Sequence, residues 1–216
     1  MRFADHTQAQ IKARHDDVLG SPPRFSPVDR PAAEAEVRAV TDGLLRGISH
    51  PSAKSVVVPL EGIPEIMFTL CRFPALWQSI IDVTVEIQGP NATLPVRDRK
   101  LAILRVGWLC QAPYEFGEHV EQARRLGFSG EKIERIVTGS TDAGWDDHER
   151  AVLRAAEELH EEAMVSDATW SQLAAQLDEQ QLFELLVVIG QFTATAYFQN
   201  ALRLRLQPGN RGLATR

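Results

Sequence analysis

The sequence predicts an all-α fold, a bundle of helices that works as an oligomer. Three observations predict it. Apolar residues recur at helical spacing from about residue 33 to the region of Leu206. The breaks between these runs fall at Pro, Gly and helix-starting Ser or Asp residues. No alternation of strand-like and helix-like runs occurs, which argues against a doubly wound sheet.

Residues 1–32 read as an extended N-terminal arm. Pro22, Pro23, Pro27 and Pro31 punctuate its second half and deny it helix or central strand. Ala32–Arg46 then reads as an amphipathic helix, with Val37, Val40, Leu44 and Leu45 on one side and Pro31 near its first turn. A loop holds His50, read as structural or inert. Val56–Val58 suits at most a short strand, limited by Pro59. Ile63–Leu70 and Pro74–Ile87 read as helices. Gly89, Pro90 and Asn91 break the chain, and Pro95 restarts it at Val96 or Arg97.

The run Leu101–Leu109 is apolar on almost every side, as in a helix buried all round. Gln111–Pro113 interrupts it, and a second helical run follows to Leu126. Gly127 stops that run and Ser129 caps the next, Glu131–Val137. Asp146 with Glu149 opens a helix over Asp147–Ala163, and Ser166 opens one with Trp170, Leu173 and Leu177. Asp178 with Gln181 opens the last, from Glu179 to about Leu206. Leu182, Phe183, Leu186, Phe192 and Tyr197 wrap round that helix, so it is either central or covered by another subunit. The helical domain thus spans 33–208, and 209–216 is expected to be a flexible tail.

Composition narrows the function. A chain of 216 residues, 44% hydrophobic and 24% charged, suits one globular domain with a real core. A net charge of −6 without a basic cluster argues against nucleic acid and anionic membrane as partners. The longest uninterrupted apolar run, near Leu185–Gly190, is too short to span a bilayer. No signal-peptide pattern opens the chain, so a cytoplasmic location is expected. Cys71 and Cys110 form no C-x-x-C, so neither a disulfide framework nor a zinc knuckle is expected.

The chemistry concentrates between Arg97 and Leu126. Glu115 and His119 stand four residues apart on one helix face, where a carboxylate can orient and tune an imidazole. The same spacing also describes a surface ion pair. Arg105 is the lone charge in the apolar run, and burial requires it to have a partner: an internal salt bridge, or a substrate carboxylate. Tyr114 either lines the pocket or packs at the helix start. His160, three residues after Glu157, lies near the pocket or an interface rather than on a metal, and His148 is expected to be exposed. Trp108 and Trp170 are read as core. Glu157, Glu158, Glu161 and Glu162 are read as a solvated face.

RDRKLAILRV and YEFGEHVEQARRLGFSGEKIERIV, followed by HERAVLRAAEELHEEAMVSDATWSQLAA and ELLVVIGQFTATAYFQNAL, resemble the carboxymuconolactone decarboxylase family, which includes the alkylhydroperoxidase D-like proteins. The resemblance spans roughly residues 60–208. It implies an all-α bundle of the alkylhydroperoxidase D-like type, assembled as trimers or hexamers. Peroxidase members carry a C-x-x-C pair whose second Cys lies four residues before the histidine, and a Glu nineteen residues before it. Here Ala112 and Glu115 take the cysteine places and Lys100 takes that of the Glu. Cys110 is two positions displaced from the first.

Decarboxylase members keep the E-x-x-x-H seen at Glu115 and His119. The resemblance therefore implies cofactor-free acid–base chemistry on a small carboxylated or lactone substrate. His119 would donate or shuttle the proton, Glu115 would fix its tautomer and favour the imidazolium, and Arg105 or Lys100 would hold a carboxylate. The alternatives are an alkylhydroperoxidase D-like antioxidant protein lacking the C-x-x-C pair, using Cys110 or no longer active, and a non-catalytic oligomeric scaffold.

Overall fold

The computed structural model describes residues 6–48 and 58–214. Among them are ten α-helices, two short 3-10 turns and no strand. The helices are α1 (Gln8–Leu19), α2 (Glu34–Ile48), α3 (Glu65–Leu70), α4 (Pro74–Gln88), α5 (Val96–Leu109), α6 (Pro113–Arg125), α7 (Gly130–Thr138), α8 (Asp147–Glu162), α9 (Asp167–Ala174) and α10 (Glu179–Leu202). His50, Val56 and Val57 lie outside the described residues, and with them most of the short-strand reading.

The chain divides into two compact units. One is Pro23–Ala92; the other joins Met1–Pro22 to Thr93–Arg216. In the first, α2 packs on α3 and α4. Gly47 permits a close approach there, since a methyl group at that position would sit 2.8 Å from Val85 Cγ1. Arg30 pairs with Glu65 at 2.7 Å and lies over the Phe68 ring, so the proline-rich strand of chain before α2 is fastened to α3.

The second unit is built round α5, which packs on α6, α7, α8 and α10. Every residue from Lys100 to Leu109 is buried, as the unbroken apolar run requires. Gly107 lets α6 cross close by: a methyl there would lie 3.3 Å from the Phe116 backbone. Asp178 and Gln181 form a full capping box at the start of α10. By length and composition α10 could cross a membrane, with mean hydropathy 1.3 over its most apolar window. Its packing on α5, α6 and α9 is that of a bundle helix, with Leu182, Leu185, Val188, Ile189, Phe192 and Ala196 buried. Phe183 and Tyr197 are exposed on its other side.

Several expectations are corrected. The first half of the arm is not extended: α1 starts at Thr7 with a capping box to Gln10 and buries Ile11 and Val18. The prolines begin only after this helix has ended. The tail is docked as far as it is described, because Gly212 and Leu213 are buried in a 3-10 turn against α6. Leu213 N–H donates to His15 Nε2 at 3.1 Å, and Asn210 donates to Glu118 at 2.9 Å. The last helix stops at Leu202 because Arg203 turns left-handed.

Glu157 and Glu158 are buried, not solvated. Glu157 takes Arg105, while Glu158 accepts from Ser166 and Thr169 and so holds the start of α9. His148 is half-buried against Asp98 at 2.8 Å. Trp108 is core, but Trp170 is 40% exposed.

Candidate active site

Two helices and a third place the chemistry. α5 ends at Leu109 with Cys110 as its cap, and Gln111 adopts φ +45°, which turns the chain sharply enough for Pro113 to start α6 at once. The tight hairpin runs α6 back along α5, so that Phe116 lies against Gly107 and the later residues His119 and Gln122 reach the early turns of α5. Lys100 on α5 then faces His119 on α6, with Nζ 2.8 Å from Nδ1. Gln122, one helical turn on, accepts from the same Nζ at 2.8 Å. On the other side of the imidazole, Nε2 lies 2.9 Å from Glu115 Oε1. From α10, Gln199 Nε2 donates to Glu115 Oε2 at 2.6 Å, and the Phe192 ring meets the imidazole edge-on at 5.1 Å.

The group is a buried row, Lys100–His119–Glu115–Gln199, and each member is less than a tenth exposed. Burial lowers the Lys100 ammonium from 10.5 to about 8; Glu115 opposes that shift and Arg99 adds to it. Burial, and next the Lys100 charge, also push His119 below its ordinary value, against the pull of Glu115. Glu115 itself favours the imidazolium, but burial and the Lys100 charge outweigh it. A neutral ring fits the contacts, with Nδ1 accepting from Lys100 and N–H on Nε2 facing Glu115.

The Lys100 shift makes stability depend on pH. Between about pH 8 and pH 10.5 the unfolded chain binds the proton that the folded chain has released, so stability should rise across that window. The gain is at most about 3 kcal/mol. Urea unfolding of the natural chain and of Lys100→Met at both ends of the window checks it, because the variant lacks the rise and subtracts the other titrating groups.

Arg105 stands apart from this row. Its Nη2 pairs with Glu157 Oε1 at 2.8 Å, both side chains being wholly buried, and its Nη1 donates to the carbonyls of Ile136 and Val137. The structure thus places it in the internal salt bridge rather than beside His119. Tyr114 is buried in the first turn of α6, where its carbonyl accepts from Asn210. Cys110 is half-buried with its Sγ 4.0 Å from His160 Nδ1, and burial raises its thiol to about 11. Both cysteines are free. Among the described residues no cluster of three or more His, Cys, Asp or Glu could hold a metal ion.

The E-x-x-x-H helix, paired with the buried helix before it, falls within a matching segment. Residues 73–158 match the carboxymuconolactone decarboxylase family. The match contains all of α4, α5, α6 and α7 and most of α8. The fold is also that of alkylhydroperoxidase D-like structures. An uncharacterised peroxidase-related protein with an alkylhydroperoxidase AhpD core from Ralstonia eutropha superposes with a TM-score of 0.68 at 14% identity, covering 86% of this chain and 93% of that one. A peroxidase-related protein from a Silicibacter species gives 0.65 at 15%, covering 90% and 94%. The debrominase Bmp8, solved with 2,3,4-tribromopyrrole, gives 0.64 at 16%, covering 88% and 96%. A comparison with curated proteins finds no match.

The sequence pointed to Glu115, His119 and Lys100 but not to Gln122 or Gln199. Gln199 had a signal. It continues the stripe of Phe192 and Ala196, where a polar residue among apolar ones needs a buried partner.

Proposed function

We propose that this chain is a cofactor-free acid–base enzyme of the decarboxylase-like kind, acting on a small carboxylated or lactone substrate. The observation that carries this reading is the buried row itself. Three ionisable side chains from two helices lie in a line of contacts of 2.8–2.9 Å. A structural pair would need only two of them. With Lys100 lowered to about 8 and His119 kept neutral, the row sets a proton donor against a ready acceptor at physiological pH. Gln199 and Phe192 fix the carboxylate and the ring, so the geometry is set before a substrate arrives.

Loss of carbon dioxide from an unsaturated lactone acid leaves an electron-rich carbon that must take up a proton. His119 is the proton carrier in this reading, Lys100 its supply and Glu115 its orienter. The fold it shares with a debrominase and with peroxidase-related proteins supports a small-molecule enzyme. The exposed Phe183 and Tyr197 support a homo-oligomer. Thiol peroxidase chemistry fits less well, because a thiol raised to about 11 supplies little thiolate.

The test is a steady-state screen of carboxylated lactones, following carbon dioxide release by the folded chain. Turnover that survives alkylation of Cys110 supports the reading. Absence of turnover across the series, or its loss on alkylating Cys110, overturns it.

A further inference from the structure

Lys100 is held in an unusual way for a buried cation. Its Nζ contacts an imidazole nitrogen and an amide oxygen, both neutral, at 2.8 Å each. Among the described residues no carboxylate lies within ion-pair distance of it. A buried lysine kept for structure is ordinarily paired with an anion, because an uncompensated buried charge costs several kcal/mol. A further buried acceptor of the row, Gln199 Oε1, has no hydrogen-bond donor among the described residues. The arrangement is that of an amine with a base beside it and an acceptor in the same row ready for a further donor.

We propose that Lys100 is a nucleophile that forms an imine with the carbonyl carbon of a small β-oxo carboxylic acid, with His119 moving its protons. The proposal rests on the acid–base reading above and narrows its substrate class. His119 Nδ1 takes a proton from the Lys100 ammonium. The freed amine forms a C–N bond to the carbonyl carbon, and a proton passes from nitrogen to oxygen to give the carbinolamine. The hydroxyl then leaves as water, carrying the proton held by His119, and a cationic imine remains. The bond from the neighbouring carbon to the carboxylate breaks, its electron pair passes through carbon toward the imine nitrogen, and carbon dioxide departs. The resulting enamine takes a solvent proton on carbon by way of His119. Water hydrolyses the imine, releasing the ketone and restoring the ammonium. The balance is one β-oxo acid anion and one proton in, one ketone and one carbon dioxide out.

With its ammonium lowered to about 8, about a tenth of Lys100 is free amine at about pH 7, where an ordinary lysine has well under a thousandth. The adjacent imidazole supplies the base such a nucleophile requires.

The chain has four lysines, so the trapping experiment has few places to go wrong. The full-length protein is incubated with acetoacetate and sodium cyanoborohydride, and the adduct is located by peptide mass mapping. One adduct per chain on Lys100, forming faster as pH rises through about 8 and absent from folded Lys100→Met, is the expected result. A slowing of about tenfold or more in His119→Gln would support the assigned proton transfer. No adduct on Lys100, or label confined to Lys12, Lys132 or the amino terminus, overturns the proposal. Turnover of carboxylated lactones without any Lys100 adduct also overturns it, and leaves the acid–base reading standing.

Discussion

Replacing Arg105 by methionine is expected to lower stability by about 3–5 kcal/mol, the cost of leaving a buried ion without its partner. The guanidinium holds Glu157 on α8 at 2.8 Å and the carbonyls of Ile136 and Val137 at the end of α7, all from the middle of α5. Methionine fills similar space and leaves Glu157 with Ser140 alone, which donates its N–H at 2.8 Å and its hydroxyl to the carboxylate. Two hydrogen bonds from one neutral residue do not replace a cation in a site without water access. Gly139 shows how closely the pair is enclosed. A methyl group there would collide with both Arg105 and Glu157, and its φ of +93° already suits glycine. The double variant Arg105→Met with Glu157→Leu removes both charges and should recover most of the loss, since apolar replacement of a whole buried pair is often neutral. Urea unfolding of the three proteins measures this. A loss below about 1 kcal/mol in the single variant would mean that the pair contributes no more than a surface bridge.

That network shows where sequence reasoning reached and where it stopped. The need of Arg105 for a partner was legible, because a lone charge in an apolar run cannot stay unpaired. The identity of the partner was legible only in part. Glu157 falls four residues after Leu153 and one after Ala156, on the buried side of α8, and this phase outweighs the impression of a run of glutamates. The helices themselves were plain wherever caps and periodicity agreed, as at Ser129, Asp146, Ser166 and Asp178, all of which accept from the first turn of their helix. α1 was missed because its only large apolar residues are Ile11, Val18 and Leu19, too few to make a stripe, although Thr7 and Gln10 carried the capping signal. The docked tail was missed for a similar reason, since a single leucine, Leu213, carries the apolar contact.

The site divides along the same line. Glu115 and His119 sit on one helix, so their meeting follows from the 3.6-residue turn. Lys100 and His119 are nineteen residues apart on different helices, and Gln199 is eighty-four residues from Glu115. Contacts of that kind depend on where α5, α6 and α10 cross, which no local pattern records. The sharp turn at Gln111 and the close crossing at Gly107 decide it, and neither has a signature strong enough to set a register.

His119→Gln is expected to reduce turnover of the carboxylated substrate by about 10²–10⁴-fold, the usual worth of a positioned proton transfer. Glutamine is close to histidine in length and can still hydrogen-bond Lys100 or Glu115, so the row keeps its packing while losing the one member that can both accept and release a proton. The loss should therefore fall on kcat, with KM little changed, because the ring is asked to act only as the proton moves. Stability should move the other way at low pH. A buried imidazole with a lowered pKa resists protonation, so the natural chain loses stability as pH falls below the ordinary histidine value of 6.5, and the variant, which has nothing to protonate there, loses less. Kinetics near neutral pH and urea unfolding at about pH 5 and pH 7 measure the two effects on one protein. Full turnover in the variant would remove His119 from the chemistry. A stability change without a kinetic one would leave Lys100, His119 and Glu115 as a row that holds α5 against α6 and does nothing more.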